Sequence, residues 1–153
     1  MNAKTLLAAS CLTLGVLAPT LGNAAEALRM TVFKTPWCGC CHEWVEVMKR
    51  AGYQVETRDL DDLAPVKSQA GVPQDMESCH TASLEGYFIE GHVPPEAIAT
   101  LIETRPDIAG LSVPGMPQGA PGMGDDPAAR YDVYAIAREP GRQASVFHRA
   151  GLE

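Results

Sequence analysis

Basic side chains are scarce in this sequence: 12 Lys and Arg stand against 19 Asp and Glu, for a net charge of −7. A chain that lacks a positive surface has nothing with which to neutralise phosphates, so nucleic acid is excluded as a partner. Long apolar runs are missing too, except for one at the N-terminus from Leu6 to Leu21. Internal repeats and long low-complexity tracts are absent, which rules out solenoids and arrays.

The single apolar run follows Lys4, contains Ser10, Thr13, Pro19 and Thr20, and ends in the small residues Gly22, Ala24, Ala25 and Ala27. Residues 1–25 are therefore expected to be a secretory signal peptide cleaved between 24 and 27. Cys11 and Lys4 leave with it, and no membrane span remains after cleavage. About 128 residues follow, more acidic by one charge than the whole chain. This is enough for one domain with a proper core, read as 28–151, that needs no disulfide staples. Four cysteines remain, at 38, 40, 41 and 79, in an exported chain where thiols can oxidise. Three of them crowd into T-P-W-C-G-C-C-H-E-W, residues 35–44, and that crowding calls for a chemical reason.

Periodicity places the motif. Residues 28–34 alternate apolar and polar as a strand does, and Pro36 stops them. From Cys38 the pattern turns helical, with Cys41, Trp44, Val45 and Met48 on one stripe and Gly52 as the stop. Residues 53–60 read as a second strand and 63–71 as a short helix. Two short strands, 81–85 and 87–92, meet at the tight turn Glu85-Gly86, and a helix over 94–104 follows with Pro95 in its first turn and Ile98, Leu101 and Ile102 inward. A last hairpin pairs 131–137 with 143–148 across Pro140-Gly141. The expected fold is α/β, a thioredoxin-like βαβα-ββα sandwich with an additional C-terminal β-hairpin, carrying W-C-x-x-C at its first strand-to-helix junction.

In that arrangement Cys38 caps a helix, where free N–H groups favour a thiolate, and Cys41 sits half-buried behind it. The two would be the attacking and resolving thiols of a disulfide oxidoreductase. Cys40 disturbs this reading, because a third thiol competes for the disulfide and also helps to gather a soft metal ion. Cys79 falls in the loop expected to face the pair, so four thiols can converge. His80 adjoins Cys79, and His92 ends the strand before the third helix; both are candidate ligands. His42 and His148 are expected in solvent. Met48 belongs to the core stripe, whereas Met116 and Met123 each follow Pro-Gly in the loop 113–124, V-P-G-M-P-Q-G-A-P-G-M-G, and a thioether suits Cu(I). A single zinc ion is the poorer match, since three ligands within four residues make a cramped tetrahedral chelate.

Four blocks occur in order: C-G-C-C-x-x-W, V-P-x-x-x-x-S-C-H-T, G-Y-x-x-E-G-H-V-P and P-G-M-P-x-G-x-P-G-M. Together they resemble the CopG-type periplasmic copper-resistance proteins, over nearly the whole chain from Arg29 to the final hairpin. Ala120 departs from the pattern, at a loop position where Ser is expected. The resemblance implies a thioredoxin-like fold and periplasmic location. It further implies a copper cluster bridged by Cys38, Cys40, Cys41 and Cys79, more than one ion per chain, and cycling between Cu(I) and Cu(II). An exporter or a redox protein of the same compartment would then be the partner. Two other readings stay open: a thiol-disulfide oxidoreductase using Cys38 and Cys41, and a passive copper carrier or store.

Overall fold

The computed structural model describes residues 27–124 and 126–151; the expected signal segment lies outside the described residues. Met30, Val32 and Lys34 alternate inward along β1 (Arg29–Lys34), as a period-2 pattern requires. Helix α1 (Gly39–Arg50) buries Cys41, Trp44, Val45 and Met48, the predicted stripe, and its chain turns out at Gly52, whose φ of 96° few other residues adopt. Strand β2 (Gln54–Asp59) returns parallel to β1, and α2 (Ala64–Ala70) follows. After a 3-10 turn at Gln74–Met76, β3 (His80–Leu84) pairs antiparallel with both β1 and β4 (Tyr87–Glu90). Helix α3 (Pro95–Thr104) then leads to β5 (Gly110–Ser112), β6 (Tyr131–Ile136) and β7 (Ser145–Ala150).

The strands form one sheet in the order β2-β1-β3-β4-β5-β6-β7. The fold is thus mixed α/β, with the expected βαβα-ββα order and the expected final hairpin. Strand β5 was not expected. It lies parallel to β4 and antiparallel to β6, so it joins the hairpin to the rest as a continuous sheet. Gly110 makes this close approach feasible, because a Cβ there would meet the Phe88 carbonyl and ring.

One core gathers Val32, Trp44, Met48, Ile89, Ile98 and Leu111. Trp44 is fully buried and its indole N–H donates to the Val93 carbonyl at 2.9 Å, which ties α1 to the segment before α3. Truncating such a side chain costs about 3–5 kcal/mol, so the first turn of α1 is held from behind. Met30 of the alternating strand is also in this core, while Ile102, expected inward, is only partly buried. A smaller cluster of Val72, Phe88 and Ile136 forms separately. Among the described residues no helix is long and apolar enough to cross a membrane.

Candidate metal centre

Cys38 is the N-cap of α1, and its sulfur accepts from the Cys41 N–H at 3.3 Å. Residues three apart at a helix start face one another, and Cys38 and Cys41 are joined as a disulfide. Cys41 is buried rather than half-buried, because its stripe packs inward. Cys40 is a free thiol whose sulfur lies 3.5 Å from Cys38 Sγ. Cys79, the other free thiol, stands just before β3, and β3 pairs with β1 so that His80 is opposite Lys34. That register brings the Cys79 carbonyl to 3.6 Å from Cys41 Sγ. The sulfurs of Cys38, Cys40, Cys41 and Cys79 all lie within 4.8 Å of one another.

Two imidazoles stand beside Cys79. Cys79 Sγ is 3.0 Å from His92 Nε2 and 3.4 Å from His80 Nδ1, and the three ligand atoms again fall within 4.8 Å. His92 Nδ1 lies 2.6 Å from the Pro121 carbonyl. A carbonyl only accepts, so Nδ1 carries the proton and Nε2 turns a lone pair toward Cys79. The His80 ring packs on Trp44 with centroids 4.5 Å apart and meets His92 edge-on at 5.1 Å. His80 Nε2 is buried with no hydrogen-bond partner among the described residues.

Burial governs the ionisation of these groups. It pushes the Cys79 thiol up to about 11, with the nearby charge of Cys40 adding to the effect. It holds His80 well below the ordinary histidine range, helped by His92 and Lys67, and lowers His92 as well. Both imidazoles are therefore neutral at neutral pH and free to donate a lone pair, while Cys79 must lose a proton before it can bind a metal. Four sulfurs and two neutral imidazoles make a donor set suited to copper, and soft thiolates favour Cu(I) in particular.

The Pro-Gly-Met loop reaches this site through its backbone. Besides the Pro121 carbonyl, Gly122 (φ 83°) sits so close to α1 that a Cβ would come within 2.7 Å of the Cys40 carbonyl and 2.8 Å of the Trp44 nitrogen. Ala120 is buried. Met116 is 57% exposed and Met123 is half-buried. His42 is exposed, and His148 is remote from the cysteines, with Nε2 4.0 Å from Glu96.

Sequence reasoning missed what stands behind Cys79. Lys67 and Glu90 form a buried ion pair, and Thr81 donates to Glu90 Oε2 at 2.6 Å. A charge on an inward strand position was the available signal, since Glu and Lys are almost never buried unless paired.

An α/β domain with convergent thiols at a helix N-terminus, backed by two buried imidazoles, has the features of a thiol protein able to hold a soft metal. Comparison with known proteins narrows the class. Two solved structures, titled copper resistance protein CopG, Form 2 and Form 1, are each 41% identical to this chain and span 81% of it and 98% of their own length, with TM-scores of 0.75 and 0.74. Residues 76–123 match the family described as "Protein of unknown function, DUF411". No curated protein matches the sequence. The chain belongs to the CopG copper-resistance protein family.

Proposed function

We propose that this protein binds copper in the periplasm and serves copper resistance, after export through a cleaved signal peptide. The observation that carries this reading is the convergence of four cysteine sulfurs within 4.8 Å, with His80 and His92 in the same reach of Cys79. Adjacent thiolates can bridge ions, which lets four of them hold more than one Cu(I) and relieves the repulsion among separate anions. Met116 and Met123 are the further soft donors that the loop would supply. The Cys38–Cys41 pair also gives the site a redox function: two Cu(II) ions and the two thiolates yield two Cu(I) ions and the disulfide, one electron to each copper. A thiol donor or an electron-transfer protein of the same compartment then restores the pair, and an exporter takes the ion. The carrier or store reading omits this electron step.

Anaerobic Cu(I) titration of the fully reduced protein against a competing chelator tests the cluster. More than one Cu(I) per chain is expected, and fewer in Cys40→Ser, whose Cys38–Cys41 disulfide should still form. One ion or fewer, with all four thiols free at the start, overturns it.

A second reading, thiol-disulfide exchange, is supported by the disulfide at the N-cap, where the helix end stabilises a Cys38 thiolate. Cys40 at 3.5 Å counts against it by offering an alternative partner. Copper-free insulin reduction near the rate of an ordinary thioredoxin would favour exchange.

A further inference from the structure

Cys79 lies in an irregular segment between the 3-10 turn and β3, yet copper binding of the kind proposed needs its sulfur fixed to within a fraction of an ångström. The backbone there has one strong anchor. The Ser78 N–H donates to Glu90 Oε1 at 2.6 Å, a bond strengthened by the ionised acceptor. Glu90 is completely buried on β4 and is itself held from two sides: by the Lys67 ammonium on Oε1 and by the Thr81 hydroxyl on Oε2. Lys67 also donates to Thr81 Oγ1 at 3.2 Å, which closes the network.

The same point also holds the start of the Pro-Gly-Met loop. The Ser78 hydroxyl donates to the Gly115 carbonyl, and Gly115 N–H returns to the Glu77 carbonyl at 3.1 Å, in an isolated parallel bridge between Ser78 and Gly115. Gly115 immediately precedes Met116. Gly91 permits the approach, because a Cβ at its φ of 70° would collide with the Ser78 side chain. The Glu90 carboxylate is thus bonded to the residue that holds both the Cys79 segment and the start of the Met loop.

We propose that Glu90, braced by Lys67 and Thr81, is a positioning residue that sets the place of Cys79 in the metal site and of the start of the Pro-Gly-Met loop beside it, with Ser78 as the link. This rests on the copper-binding reading above. A group that orients a metal ligand without touching the ion typically changes metal affinity by about 10–100-fold when lost, and a buried ion pair can be replaced by apolar residues of similar volume with the fold retained.

Two double variants separate positioning from stability. Glu90→Gln with Lys67→Met removes both charges and keeps a carbonyl oxygen for the Ser78 N–H, whereas Glu90→Leu with Lys67→Met removes that acceptor as well. Amide exchange at Ser78 is measured in the reduced, metal-free proteins, and Cu(I) affinity is measured with a competing chelator. The Leu pair should speed Ser78 exchange at least about tenfold and weaken Cu(I) by about 10–100-fold, while the Gln pair stays near the parent in both. Thr81→Val, which keeps shape and loses one brace, should show a smaller change in the same direction. Parental exchange and affinity in the Leu pair, or equal losses in the Gln pair, would overturn the proposal. If both pairs lose the fold, Ser78 exchange in Thr81→Val decides, and no change there overturns it too. A parent that binds no Cu(I) refutes the functional reading alone, and the exchange comparison still decides whether Glu90 positions Ser78.

Discussion

Gly122→Ala tests whether the Pro-Gly-Met loop is seated on the first turn of α1. At φ 83° an alanine incurs the left-handed penalty of roughly 1–2 kcal/mol. Its Cβ must also come within 2.7 Å of the Cys40 carbonyl and 2.8 Å of the Trp44 nitrogen, and both are backbone atoms of a helix pinned by buried Trp44. The loop, not the helix, has to give way. Lifting it breaks the 2.6 Å bond from His92 Nδ1 to the Pro121 carbonyl, a net loss of about 1 kcal/mol. The total is about 2–3 kcal/mol. Gly124→Ala supplies the control: its φ is 91°, yet a Cβ there meets only Gln118 Nε2 at an ordinary 3.5 Å. It should lose only the conformational part. Urea denaturation measures both variants, and a proton NMR titration of His92 follows the site: loss of burial raises its pKa and loss of the Pro121 bond lowers it, and burial is the larger effect, so the net shift is upward toward the ordinary histidine value in Gly122→Ala alone. Equal destabilisation of the two variants with an unmoved His92 would refute the seating of the loop.

Three further outcomes are expected. Because burial depresses the folded pKa of His80, the unfolded chain takes up a proton below about pH 6.5 that the folded chain refuses, so stability is present above that pH and falls by about 1.4 kcal/mol per unit of acidification until the folded pKa is reached; His80→Phe should lose this slope in urea melts between pH 6.5 and 5, and an unchanged slope would count against a buried neutral His80. With the Cys79 thiol raised to about 11, Cu(I) binding at neutral pH must expel its proton, so calorimetry in buffers of different ionisation enthalpy should find one proton fewer in Cys79→Ser; equal proton counts would remove Cys79 from the ligand set. Met116→Leu keeps most of the apolar volume and removes the sulfur, so a ligand role requires weaker Cu(I) retention or an altered copper spectrum at nearly constant Tm; identical behaviour in it and in Met123→Leu would leave the loop as a lid.

The periodic elements were legible because burial enforces their period. Cys41, Trp44, Val45 and Met48 fit a helix stripe, and the alternation of Leu28, Met30 and Val32 fits a strand, whereas the inward Lys34 breaks that pattern. Strand β5 escaped, since three residues beginning with glycine carry no period and owe their pairing to the strands on either side. At the site, residue type announced the four thiols, and turn chemistry brought His80 and His92 near them. The Pro121 carbonyl and the Gly122 contact were out of reach, because backbone groups are chemically the same at every position. Lys67 and Glu90 were hidden for another reason: they stabilise each other only in the folded chain, 23 residues apart in sequence.

The geometry also makes the two functional readings interdependent. Cys38 and Cys41 are one helical turn apart and bonded to each other, so in this state the cysteine and histidine donors left free among the described residues of the site are Cys40, Cys79, His80 and His92. That set is half imidazole, a composition that accommodates Cu(II). Reduction returns two sulfurs to the same few ångströms, and the set becomes predominantly thiolate, which favours Cu(I). Copper and the disulfide therefore draw on the same two atoms. On the proposed reading, a bound Cu(I) cluster would block disulfide exchange by occupying the nucleophile, and a disulfide would lower copper capacity by withholding half the thiols. On that reading the oxidation state of the cysteine pair and that of the metal are coupled through ligand supply.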